Sequence, residues 1–187
     1  RALHPLPFVA AEVAGVARAC RLHRMQVTTL VAEDMSKERV IAAACCSTRI
    51  LHLATHCLTQ PRALVLQGRS EDEASLSDRD IYSLRIPARL AVLSACDTLE
   101  AEDGSDSLTG LCRALFASGV SSILASIWAV NDSSTCQFMK LFYDACLRGR
   151  LPVHEAARVA MLHMIDKAIV PGVPLYSPLH WAPFVAL

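Results

Sequence analysis

Apolar positions along the chain alternate between two periods. Val9 to Leu22 carries them at helical spacing, and the short β-branched run Gln26 to Val31 predicts a strand. Ser36 to Cys46 opens on a capping serine and continues as a helix. Arg49 to Thr55 and Arg62 to Gln67 predict two more strands, followed by a polar, acidic loop. Ser77-Asp-Arg-Asp80 is a capping signal for a short helix to Leu84. Arg89 to Ala95 predicts a strand, and an acidic loop from Asp97 to Ser107 leads into a helix over Leu108 to Ser118. Gly119 fits the left-handed position that ends helices. Ser122 to Ile127 predicts a strand, and Asp132 caps a helix that reaches Leu147 and ends at Gly149. Pro152 suits the first turn of a last helix to about Ile169, and Trp181 to Leu187 reads as an edge strand because Pro183 cannot donate to a ladder. Alternating helix and strand mean an α/β fold, with an open, mainly parallel sheet and helices on both faces.

Composition narrows the function. With 18 basic and 18 acidic residues the formal charge is zero, so no field is present to hold a nucleic-acid backbone, and no nucleic-acid partner is expected. No G-x-G-x-x-G or P-loop pattern occurs, which argues against dinucleotide and nucleotide phosphate sites. Ala114 to Asn131 contains four serines, and Ala168 to Leu187 contains four prolines; neither suits a bilayer helix, so no membrane partner is expected. The start, Arg1-Ala-Leu-His-Pro, shows no signal-peptide pattern. The chain is therefore expected to be a single domain, residues 1–187, cut from a longer protein. Eight cysteines are present, but Cys45-Cys46 are adjacent, and Cys20, Cys112, Cys136 and Cys146 lie in apolar helical patterns. Reduced thiols and a cytoplasmic location are the expectation.

In open α/β sheets, ligands bind beyond the carboxyl ends of the strands. His56 directly follows one apolar strand and Cys96 another, 40 residues later. A histidine and a cysteine so placed are a base and a nucleophile. A free thiol ionises near pH 8.5, so an adjacent imidazole is needed to raise the thiolate fraction or to protonate a leaving amine. Backbone N–H groups at the sharp turns after each strand could hold an oxyanion. His52 and His56 lie on one strand face about 13 Å apart, too far to share a metal ion, and no metal site is expected. His52 reads as a core residue. His4, His23, His154 and His163 receive no role, and Trp181, in the His180-Trp181 ending, reads as packing.

Ile50-Leu-His-Leu-Ala-Thr-His56 and Ala91-Val-Leu-Ser-Ala-Cys96-Asp-Thr resemble the CHAT domain, the caspase-like domain found with tetratricopeptide repeats. Leu108-Thr-Gly-Leu-Cys-Arg-Ala-Leu-Phe116, Ser118-Gly-Val, Ser126-Ile-Trp-Ala-Val-Asn-Asp132, Phe142-Tyr143 and His180-Trp-Ala-Pro-Phe184 carry the resemblance further, as does Leu3-His-Pro-Leu-Pro-Phe followed by Glu12. The family is similar to caspases, separases and gingipains. The resemblance implies a three-layer α/β/α sandwich with a mainly parallel sheet of about six strands.

It also implies a cysteine endopeptidase acting on a protein or peptide, with His56 as catalytic histidine and Cys96 as nucleophile. The N–H groups of Cys57 and Cys96 would form the oxyanion hole. No cofactor is implied. Tetratricopeptide repeats N-terminal in the same protein would recruit partners and control access. Two departures stand out. Cys57 replaces the usual Gly after the histidine, with a strain of about 1 kcal/mol expected if φ is positive there, and Asp97-Thr-Leu99 replaces Glu-Thr-Gly. Asp97, Trp128 and Asp132 are substrate-pocket candidates, and the acidic residues after the strands, Asp97, Asp103, Asp106 and Asp132, would favour a basic P1 residue, as in separase-like and gingipain-like relatives. For Asp132 a helix cap is the favoured role over the pocket, and Trp128 reads equally as pocket or as core. The family also contains members that have lost the dyad, so the alternative function is a catalytically silent signalling or scaffold module.

Overall fold

The computed structural model describes residues 6–46, 48–59, 62–94, 107–128, 130–167, 169–170, 173–174 and 177–187. In chain order the helices are α1 (Val9–Leu22), α2 (Lys37–Cys45), α3 (Asp78–Tyr82), α4 (Ser107–Ala117), α5 (Asp132–Tyr143), α6 (Val153–Lys167) and α7 (Pro178–Trp181). The strands are β1 (Ile50–Ala54), β2 (Cys57–Thr59), β3 (Arg62–Val65), β4 (Ser75–Ser77), β5 (Leu90–Ser94), β6 (Ile123–Ser126), β7 (Ile169–Val170), β8 (Val173–Pro174) and β9 (Phe184–Ala186). The chain divides into two compact units, Leu30–Ala129 and the pair of segments Arg1–Thr29 and Val130–Leu187. The architecture is mixed α/β with a mainly parallel central sheet, as the alternation of elements implies.

In the unit Leu30–Ala129, β5 lies between β1 and β6, all three parallel. Ala54 pairs with Ser94, and Leu93 pairs with Ala125. Every residue of β5 and β6 is buried. Burial on both faces explains why Leu-Ala-Val-Leu-Ser and Ile-Leu-Ala-Ser are continuous small and apolar runs instead of alternating ones. The core gathers Leu53, Leu64, Leu66, Leu76, Ile81, Leu93, Leu111, Leu115 and Ile123.

Ser36 caps α2 by accepting the Arg39 N–H, and Ser77 and Asp80 form a reciprocal capping box at α3. Lys37 joins these two helix starts, its ammonium lying 3.0 Å from the Asp80 carboxylate. Gly119 ends α4 with φ +109°, and the Ile86 carbonyl stands 3.3 Å from where a Cβ would be. Both constraints select glycine there.

Two expectations fail in this unit or at its start. Gln26–Val31 forms no strand. Its side chains are exposed or half-buried, so β-branched propensity has no packed face to act on. Arg62–Val65 is a strand but not a parallel one. It pairs antiparallel with β2 and β4 in a separate three-stranded sheet. Only two residues link β2 to β3, and a parallel crossover needs a dozen or more.

In the other unit, α1 packs on α5, and α5 on α6. The Phe138 and Phe184 rings stack with centroids 3.7 Å apart, and Phe142 and Tyr143 pack edge to face. Asn131, not Asp132, caps α5 by accepting the Ser133 N–H. A π-helical turn, Asp144–Arg148, prolongs α5. Gly149 has ordinary helical φ, and Arg150 takes the left-handed position after it (φ 54°). A Cβ at Gly149 would meet the Ala145 carbonyl oxygen at 2.6 Å, so close approach rather than handedness requires glycine. Trp181 ends α7, which has Pro178 in its first turn, and the last strand is only Phe184–Ala186.

Candidate functional site at the strand ends

The carboxyl ends of β1, β5 and β6 lie side by side, and the chain continues differently from each. After Ala54 the backbone turns through Thr55 and His56 directly into β2. The Thr55 hydroxyl donates to the Val65 carbonyl at 2.7 Å, and the Val65 N–H donates to the His56 carbonyl at 2.9 Å. These bonds tie the Thr55 side chain and the His56 carbonyl to β3. The imidazole is half-buried, and its Nδ1 is buried with no hydrogen-bond partner among the described residues.

Cys57 follows as the first residue of β2, opposite Leu64. Because the Val65 N–H bonds the His56 carbonyl, the 56/65 rung is hydrogen-bonded and the adjacent 57/64 rung is not. The Cys57 N–H therefore points away from β3. Its thiol is buried among Leu64, Leu66 and other core residues. The expected strain is absent: among the described residues, the non-glycine positions with positive φ are Arg24, Ala32 and Arg150. An extended strand position suits any L-residue.

Ser94, buried, is the last described residue of β5. Cys96 and Asp97 lie outside the described residues. Past β6, Trp128 is half-buried, and its indole Nε1 is buried without a hydrogen-bond partner among the described residues. Asp132 belongs to the other unit, where its carboxylate accepts the Phe8 N–H at 2.6 Å. His52 lies on β1 in register with Val92.

Four other thiols and one other histidine are held in the packed structure. Burial pushes the Cys112 and Cys146 thiols up to about 11 and raises those of Cys20 and Cys136. These four are held protonated and are poor nucleophiles at neutral pH. His180 Nδ1 lies 2.8 Å from the hydroxyl of the buried Ser134, and this pair ties α7 to α5.

Sequence reasoning missed the β2–β3 hairpin that fixes His56. Its signal was present: Cys-Leu-Thr and Arg-Ala-Leu-Val stand either side of Gln60-Pro61, a two-residue connection with a turn-forming proline. Among the described residues no helix is long and apolar enough to cross a membrane.

Comparison with known proteins adds the family. The chain is 27% identical over 143 residues to tetratricopeptide repeat protein 28 of Homo sapiens, and equally to that of Mus musculus. The match covers 71% of this chain and 6% of either relative, so the chain spans a small part of their length. The model of the CHAT domain matches residues 2–187. The chain belongs to the CHAT domain family.

Proposed function

We propose that this chain is the cysteine endopeptidase domain of a tetratricopeptide repeat protein, cleaving a protein substrate through Cys96 and His56. The observation that carries the reading is the register of β1 and β5. Ala54 stands beside Ser94. His56 and Cys96 each come two residues later, a reach of at most about 7 Å on strands about 4.8 Å apart. Such a pair of strand ends suits a nucleophile and its proton carrier.

In this reading the Cys96 thiolate forms a bond to the scissile carbonyl carbon. The C–N bond then breaks, and the His56 imidazolium gives its proton to the departing amine. Water next attacks the thioester carbon as His56 takes its proton; the C–S bond then breaks, which releases the acid and restores the Cys96 thiolate and the His56 imidazolium. The N–H groups of Cys57 and Cys96 hold the oxyanion. Asp97, next to the nucleophile, favours Arg or Lys at P1; Asp132 is read as the tether of the chain at Phe8. The matched relatives, by their name, support repeats in the same protein, and these would control substrate access. Exposed free thiols at Cys45 and Cys46 suit a reducing, intracellular compartment.

The test is turnover of a positional peptide library by the full-length protein. Cleavage after basic residues that vanishes in Cys96→Ala supports the whole reading. Cleavage after Asp or small apolar residues would reject the P1 assignment, and undiminished cleavage by Cys96→Ala would reject the enzyme assignment.

A further inference from the structure

Two buried nitrogens at the carboxyl end of the parallel sheet, one on each side of β5, have no hydrogen-bond partner among the described residues: His56 Nδ1 and Trp128 Nε1. Their levels match. Ala54 is in register with Ser94, and continuing the β5–β6 register by one step from Leu93 and Ala125 brings Ser94 level with Ser126. His56 lies two residues beyond Ala54, and Trp128 two residues beyond Ser126. The pair thus brackets the end of β5.

Native folds rarely leave a buried indole N–H unpaired, since its lost hydration is not returned by any bond. An indole nitrogen is a donor only, so the missing group is an acceptor. A peptide main chain offers such an acceptor at every residue, its carbonyl oxygen. We propose that Trp128 is a substrate-positioning residue whose Nε1–H donates to a main-chain carbonyl of an extended peptide, in the half of the substrate that becomes the acyl group. The choice of half comes from His56: a residue that protonates the leaving amine stands on the amine side, and Trp128 stands on the opposite side of β5. The identity of the ligand as a peptide rests on the endopeptidase reading above. Because the nitrogen is buried, the carbonyl reaches it only by displacing what covers it, so binding changes the environment of the indole.

The chain has two tryptophans, so Trp181→Phe leaves Trp128 as its single indole. In a Cys96→Ala, Trp181→Phe form of the chain, a pool of capped tetrapeptides should shift the indole emission saturably. In the otherwise wild-type protein, Trp128→Phe keeps the ring but removes the donor. It should weaken the saturation constant for labelling by a capped tetrapeptide acyloxymethyl ketone about ten-fold, the scale of one lost hydrogen bond, with the maximal labelling rate unchanged. Such a split separates positioning from a general loss of structure. No emission change at saturating peptide, or labelling by Trp128→Phe indistinguishable from wild type, would overturn the proposal. An emission shift in a protein whose Cys96 is never labelled would uphold peptide binding at Trp128 and reject the endopeptidase reading instead.

Discussion

Ala54, the last residue of β1, stands in parallel register with Ser94, the last residue of β5. The pairing sets the starting points from which the chain runs to His56 and to Cys96, with two residues to travel in each case. β1 turns into a hairpin that holds the His56 backbone at its carbonyl, so the position of the histidine is inherited from β3 rather than from its own side-chain contacts.

The hairpin makes a first prediction. Because the bond at His56 uses the backbone carbonyl, His56→Ala should retain the wild-type thermal midpoint. Its kcat/KM should fall by about 10²–10⁴, the scale of a positioned acid–base group. Equal activity of His56→Ala and wild type in a peptide-cleavage assay would remove His56 from the mechanism.

Cys57 gives a second. Its φ is not in the left-handed region and its thiol fills core space, so glycine brings no relief of strain. Cys57→Gly should be less stable by about 1–2 kcal/mol, from a lost buried side chain and a freer unfolded chain. Turnover per folded molecule under reducing conditions should match wild type, because the N–H is retained. Urea unfolding and active-site titration measure the two effects separately. A large drop in turnover at full folding would mean that the thiol itself takes part.

The capping box at α3 gives a third. Although burial pushes the Asp80 carboxyl upward, hydrogen bonds from Ser77 and from the Lys37 ammonium prevail and hold it below its ordinary 3.8. A depressed carboxyl stabilises the fold above the unfolded-state value, and that contribution is lost as pH falls through the folded-state value. Asp80→Asn should therefore lower stability by about 1 kcal/mol at neutral pH, the usual scale for a cap. The gap from wild type should narrow as pH drops below 3.8. A gap that stays constant with pH in urea titrations would show that the charge of Asp80 contributes nothing.

Most of the parallel core was legible in the sequence because β5 and β6 are buried on both faces and leave uninterrupted apolar runs. The helix starts at Ser36 and Ser77 were legible for an equally local reason, since a cap is a short-range hydrogen bond. What escaped was not decided by the residue types of the run itself. Gln26–Val31 has strand-forming residues but no face to bury, and the direction of Arg62–Val65 is set by a two-residue link rather than by its own composition. At the site, sequence order identified His56 and Trp128 as residues beyond strand ends. It could not show that both would carry a buried nitrogen without a partner among the described residues, because burial of a single atom depends on packing from several elements at once.

The central claim is that Cys96 is the nucleophile, and peptide mapping after covalent labelling tests it most directly. Full-length protein under reducing conditions, treated with a capped tetrapeptide acyloxymethyl ketone bearing arginine at P1, should carry the adduct on Cys96. Labelling should disappear in Cys96→Ala and slow in His56→Ala. An adduct on Cys57 or on the exposed Cys45 and Cys46, or labelling that survives in Cys96→Ala, would contradict the account.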